Sequence, residues 1–213
     1  MKQIKIACVG DSITYGFLLF PRKKNAYPTI LGQRLGKKFL VRNFGVNGTT
    51  IAANGNQPYT LQNAYKESLE FQADIAILMF ATNDTRKMNR NTTEFKSDYS
   101  KLIASYQAIG TYVIIMSSPK IYCPRKRKTP YYGMDEQLLQ TYRELSKEIA
   151  LERALPFIDL YAISQDYPTS FKKDGVHPDK IFANIMAIEV SKVVLKCRKE
   201  MVLEEPNSSP IIP

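Results

Sequence analysis

Apolar and polar positions alternate along this chain in two distinct rhythms, short unbroken apolar runs and longer stretches with helical spacing. Lys2 to Val9 carries Ile4, Ile6, Ala7 and Val9 and is closed by Gly10, which suits a strand covered on both faces. Ala26 to Phe39 then places Ile30, Leu31 and Leu35 on one helical face, and Leu40 to Phe44 is a second short apolar segment. Leu61 to Gln72 reads as a helix and Ile75 to Phe80, IAILMF, as a strand buried throughout. Phe95, Tyr99, Leu102, Ile103 and Tyr106 mark a longer helix, followed by a strand over Tyr112 to Met116. Asp135 to Arg153 is helical through Leu138, Leu139, Tyr142, Leu145 and Ile149, and Pro156 to Leu160 is a last short strand. A closing helix starts near Pro178, a residue suited to a first helical position, with Ile181, Ile185 and Ile188 on one side. Five strands separated by helices predict an α/β fold, a parallel sheet with right-handed crossovers and helices on both faces.

The 213 residues fit one domain, read here as 1–203, with a proline-rich tail at 204–213. One stretch breaks the rhythm: Ser117 to Gly133 contains Pro119, Pro124 and Pro130, the run Arg125, Lys126, Arg127, Lys128, and the pair Tyr131 and Tyr132. Long excursions of this kind usually carry function or mobility.

Ordinary proportions of apolar (44%) and charged (23%) residues exclude a disordered or fibrous chain. No apolar run approaches the roughly 18 residues of a membrane-spanning helix, and the start, MKQIKIACVG, reads as a strand rather than a leader. The expectation is a cytoplasmic protein, unless a secretion leader has been removed. Three cysteines, Cys8, Cys123 and Cys197, lie far apart with no CxxC pair, against both a disulfide framework and a zinc site. The net charge of +10 sits in short clusters rather than along one helix face, so solvated loops explain it and no nucleic-acid partner is expected. The basic tetrad alone also matches an import signal or a nucleic-acid patch.

In open parallel sheets ligands bind beyond the carboxyl ends of the strands. The turns there are Gly10-Asp11-Ser12-Ile13-Thr14 after the first strand, Asn43 to Thr49 at the second, Ala81-Thr82-Asn83-Asp84 after the third and Asp174-Gly175-Val176-His177-Pro178 beyond the fifth. His177 is the only histidine and thus the one side chain of a type suited to proton shuttling near neutrality. A serine hydroxyl needs such a base, and the base needs an acceptor on its other nitrogen. Asp174 can be that acceptor, or merely a helix cap beside an exposed histidine. Ser12 and Asp11 likewise match ordinary helix-start residues. Gly48 offers an unhindered backbone N–H and Asn83 a side-chain amide, donor types that suit an oxyanion, although both also form turns. No phosphate-cradling glycine pattern is present.

Together GDSIT at 10–14, NFGVNGT at 43–49, TND at 82–84 and DGVHPD at 174–179 make the chain resemble the SGNH, or GDSL-type, hydrolases over nearly its whole length. The resemblance implies a flavodoxin-like three-layer α/β/α sandwich and no metal or organic cofactor. It makes Ser12 the nucleophile, His177 the base and Asp174 its partner, with Gly48, Asn83 and the Ser12 N–H as oxyanion donors and Asp11 as an organiser of the turn. AYPTILGQRLG at 26–36 and the motif phrasing look most like bacterial carbohydrate O-acetylesterases, including those acting on sialates. A small acylated carbohydrate is then the expected substrate. Ala81 departs from the family pattern, which usually has glycine there. If Ser117 to Gly133 overhangs the site, Arg125, Lys126, Arg127 and Lys128 form a positive rim and Tyr131 and Tyr132 stack on sugars; the other reading is a solvated loop pointing away. Two rivals remain at this stage: a lysophospholipase- or thioesterase-like enzyme with an acyl groove of Phe17, Leu18, Leu19 and Phe20, and a non-catalytic carbohydrate- or nucleic-acid-binding protein.

Overall fold

The five apolar runs form one parallel sheet: β1 (Ile4–Gly10), β2 (Phe39–Gly45), β3 (Ile75–Phe80), β4 (Tyr112–Ser117) and β5 (Phe157–Ile158). The computed structural model describes residues 3–124, 127 and 130–203, with side chains omitted at 131 and 199–203. Strand order is β2-β1-β3-β4-β5. The helices, in chain order, are α1 (Ser12–Tyr15), α2 (Arg22–Asn25), α3 (Tyr27–Leu35), α4 (Asn63–Glu70), α5 (Thr92–Gln107), α6 (Glu136–Glu152), α7 (Leu160–Ser164) and α8 (Lys180–Leu203).

Alternation of side chains along the strands divides the core in two. Ala7 and Val9, Leu78 and Phe80, and Val113 and Ile115 face one layer, where they meet Phe95, Tyr99 and Ile103 of α5 and Leu139, Tyr142 and Ile149 of α6. Phe95 and Tyr142 stack at 4.2 Å and tie those two helices together. Ile6 and Cys8, Ile75 and Ile77, and Ile114 and Met116 face the other layer, against Tyr27 and Leu31 of α3 and Phe182, Met186 and Val190 of α8. This is the expected three-layer α/β/α sandwich.

Several boundaries differ from the expectations. The helix expected through Phe39 stops at Leu35 with Gly36 as its cap, and Phe39 opens β2 instead. β5 is only two residues long, because Asp159 caps α7 by accepting from the Ala162 N–H at 3.1 Å, and Leu160 becomes helical. Pro178 lies before α8, in a bridge with Phe171; Asp179 is the cap, its Oδ1 accepting from Ile181 at 2.8 Å and Phe182 at 3.0 Å. The expected apolar face of α8 is also displaced. Ile181 is 61% exposed, and the helix buries Phe182, Ala183, Met186, Ala187, Val190, Val194 and Cys197. Among the described residues no helix is long and apolar enough to cross a membrane.

Because β1 pairs with β2 on one side and β3 on the other, the strand order reverses direction at β1 and β3, and the crevice beyond their carboxyl ends is where such a sheet binds ligands. Register puts Gly10 opposite both Gly45 and Met79, so the three following turns start level with each other. α1 lies directly on Gly45: a Cβ there would meet the Tyr15 N at 2.2 Å and the Thr14 carbonyl carbon at 2.7 Å. Gly45→Ala is therefore expected to cost at least about 1–3 kcal/mol, read by urea denaturation, since a packed interior gives way only by moving backbone. An unchanged midpoint would show that α1 is not held against β2.

Candidate active site

Asp11 fixes the first turn of the site. Its Oδ1 accepts from the Ile13 N–H at 2.9 Å, starting α1 immediately after β1 and leaving Ser12 as the first helical residue. Asn43 secures the other end of α1 by donating to the Thr14 carbonyl at 2.9 Å while accepting from its own strand at Gly45. From the far side of the sheet, the Asp174–His177 turn presents its imidazole. Ser12 Oγ lies 2.9 Å from His177 Nε2, and His177 Nδ1 lies 2.6 Å from Asp174 Oδ2. All three residues are buried.

The direction of these bonds follows from chemistry. An ionised carboxylate only accepts, so Nδ1 carries the proton and Nε2 is left to accept the Ser12 hydroxyl proton. Burial alone would raise the Asp174 pKa; the His177 ring and the Val176 and His177 N–H groups outweigh it and hold the carboxyl below its ordinary value. Its second oxygen accepts from those two N–H groups at 3.0 and 3.1 Å, so the carboxylate cannot swivel away from the ring. Gly175 makes the turn possible: its φ of 72° is unfavourable for other residues, and a Cβ there would lie 1.9 Å from the Tyr122 carbonyl oxygen.

Asn83 and Asp84, after β3, clamp the loop after β2. Asn83 Nδ2 donates to the Thr49 carbonyl at 3.0 Å and lies 3.5 Å from Asp11 Oδ2, the outer limit of a hydrogen bond. Asp84 Oδ1 accepts from the Ile51 and Ala52 N–H groups at 3.0 and 2.9 Å. Ala81, in the same turn, has a φ of 101°, a conformation that suits glycine.

Ser12, Gly48 and His177 line a cavity of about 200 Å³ together with Phe17, Asn47, Arg86 and Tyr132. Asn83 is buried and does not line it. Phe17 packs edge-on against the His177 ring at 4.9 Å, and the Tyr132 ring lies 6.2 Å from it on another side. Of the expected loop residues, Tyr132 thus reaches the site. Arg127 is exposed and does not line the cavity; Arg125, Lys126 and Lys128, and the Tyr131 side chain, lie outside the described residues. Asn47 and Arg86 were not singled out by sequence reasoning, although each stands in a turn already marked by its neighbours, Gly48 and Asn83. Among the described residues no group of three His, Cys, Asp or Glu is placed to hold a metal ion.

Residues 8–181 match the model of the GDSL-like lipase/acylhydrolase family. The chain belongs to that family. A curated acetylxylan esterase from Xylanibacter ruminicola is 28% identical, in an alignment covering 86% of this chain and 42% of the relative, so the chain spans less than half the length of that protein. Among solved structures, a carbohydrate acetylesterase from Sinorhizobium meliloti superposes with a TM-score of 0.75 at 16% identity, covering 92% of this chain and 100% of the other. The aryl esterase of M. smegmatis gives 0.73 at 19% identity, covering 92% and 99%. These structural likenesses carry the fold.

Within this GDSL-type site the buried acids differ sharply. Burial pushes Asp84 up to about 7, the Ala52 and Ile51 N–H groups opposing it, and pushes Asp11 up to about 6 against the Ile13 N–H and the nearby His177 ring. Asp84 Oδ2 is buried with no hydrogen-bond partner among the described residues. A carboxyl whose folded pKa is raised contributes stability that is complete below its unfolded pKa, roughly 3.9, and lost as pH rises through the folded value. For Asp84 that window runs from about 4 to about 7. Asp84→Asn, which keeps an acceptor for Ile51 and Ala52, is expected to gain stability relative to the parent as pH rises from 4 to 8 in urea titrations. A difference independent of pH would show that no charge is being buried at this position.

Proposed function

We propose that this chain is a serine esterase that removes short acyl groups, acetyl above all, from carbohydrate hydroxyls through an acyl-enzyme. The observation that carries the reading is the continuous buried relay from Ser12 Oγ through the His177 ring to Asp174 at the wall of a small cavity. His177 Nε2 takes the Ser12 proton as Oγ attacks the ester carbonyl. The Ser12 and Gly48 N–H groups and the Asn83 amide receive the oxyanion. Asn83 is buried behind the cavity wall with its amide on Thr49 at 3.0 Å and Asp11 at 3.5 Å, so its donation requires the side chain to move from the weaker Asp11 contact toward that charge. His177 then gives the Ser12 proton to the departing sugar oxygen as its bond to the acyl carbon breaks, so the sugar leaves as a free hydroxyl. A water, deprotonated by the same ring, attacks the acyl carbon, and the ring returns the proton to Ser12 Oγ as the acid is released. Asp11 acts here through position, fixing the turn that carries Ser12.

A short acyl group is supported by the cavity, whose volume of about 200 Å³ is below the roughly 300–1,000 Å³ of clefts for drug-sized ligands. The name of the curated relative supports a carbohydrate ester, as does the half-exposed Tyr132 ring beside the base. One observation favours a longer acyl chain: Leu18 and Phe20, next to Phe17, are 49% and 87% exposed and offer an apolar strip near the site, whereas Leu19 is buried in the fold. A rate series from acetyl to octanoyl p-nitrophenyl esters separates the readings. Values of kcat/KM falling steadily with chain length are expected, and a rise toward octanoyl would transfer the enzyme to lipid esters. Acetate release from acetylated xylan, pectic and sialic fragments then identifies the sugar.

Ser12→Ala and His177→Ala are each expected to lower kcat by about four orders of magnitude, with the double variant little worse than either, because residues acting as one unit are not additive. Multiplication of the two losses would mean that the two side chains serve separate steps.

A further inference from the structure

Arg86 is the permanently charged side chain in the cavity wall, and its position is set by the site itself. Its backbone N–H donates to the Asn83 carbonyl at 3.2 Å, and its own carbonyl accepts from the Asn89 N–H at 2.8 Å, so the turn that carries Asn83 also aims Arg86. The guanidinium lies 5.5 Å from the centre of the Tyr132 ring. Its Nε is buried without a hydrogen-bond partner, and no carboxylate among the described residues forms an ion pair with it. Asp11 attracts it at longer range only, and partial burial lowers the Arg86 pKa against that attraction.

A half-buried guanidinium with no ion-pair partner among the described residues is costly to maintain for packing alone, and its planar shape matches a carboxylate with two parallel hydrogen bonds. We propose that Arg86 is the specificity-determining residue of this site and that it binds a carboxylate carried by the same sugar as the scissile acetyl group. The substrate class is then an O-acetylated sugar acid, with the ester carbonyl at Ser12 and the carboxylate at Arg86, both in the wall of one small cavity. This rests on the reading of Ser12 as nucleophile. The competing role, a prop that holds Tyr132 by cation–π attraction, gives no preference for substrate charge.

The test compares acetate release by the whole chain from an O-acetylated methyl glucuronoside and from the matching uronamide, which differ only in the charged group. The parent is expected to favour the acid by at least about tenfold in kcat/KM, mainly through KM, as befits hydrogen bonds to a charged group. Arg86→Gln should bring the ratio to within about twofold of one, and Arg86→Lys should keep part of it. Each ratio is taken within one protein, so a general loss of activity cancels. A parent ratio near one, or a preference that survives in Arg86→Gln, overturns the proposal. If Arg86→Gln does not fold, inhibition of p-nitrophenyl acetate hydrolysis in the parent decides instead: glucuronate should inhibit at least about tenfold more tightly than glucuronamide, and equal inhibition overturns it. If no ester is hydrolysed in a Ser12-dependent way, the esterase reading fails by itself. Calorimetric titration of Ser12→Ala with the acid and the amide then still reads Arg86, and equal affinities reject it.

Discussion

The register of β1 between β2 and β3 is the constraint on which the rest of this molecule depends. With Gly10 level with Gly45 and Met79, the chain leaves all three strands at one height, and the turns bearing Ser12, Gly48 and Asn83 have no choice but to meet. A slip of one residue in any strand would turn its side chains to the opposite layer, and both layers are packed with large side chains, so register is strongly enforced. The cleft is thus positioned by the two cores beneath it. Polar groups in the turns refine a geometry that apolar burial has already set.

That refinement uses buried carboxylates in two opposite ways. Asp174 is surrounded by donors and lies beside the imidazole, so its charged form is favoured and remains available to orient His177. Asp11 and Asp84 are buried where desolvation dominates, and each offsets part of the cost by accepting backbone N–H groups of the loops it organises. Stability is spent there on holding turns in place. Ala81 belongs to the same pattern, since a φ of 101° at a residue with a Cβ is a local cost borne next to Asn83. The departure from the family glycine leaves the backbone in a glycine-like conformation, with Asn83 still bonded to Thr49 at 3.0 Å.

The sheet and the meeting of Ser12, Asp174 and His177 were legible in the sequence, because unbroken apolar runs such as IAILMF have few other readings and strand-end turns have a fixed destination in a parallel sheet. The buried face of α8 was not. Its apolar residues lie on two adjacent stripes, one through Ile181, Ile185 and Ile188 and one through Phe182, Met186 and Val190, and periodicity alone cannot rank stripes of similar character. Arg86 was illegible for another reason: a basic residue just after a turn looks like any solvated residue, and only its half-buried place in the cavity wall distinguishes it. Charge in the sequence drew notice to the longer basic run at 125–128, of which only Arg127 is among the described residues. Counting charges along a chain does not reveal which one faces the site.

The excursion after β4 links the His177 turn to the cavity. Tyr122 donates its N–H to the Gly175 carbonyl at 2.8 Å, and its own carbonyl oxygen occupies the space that a Cβ at Gly175 would need, so the turn carrying Asp174 and His177 is braced by residues just beyond the sheet. Ten residues later the same excursion places the Tyr132 ring beside His177 and under the Arg86 guanidinium. Tyr122 thus braces the turn that bears His177, and Tyr132 lines the cavity beside its ring.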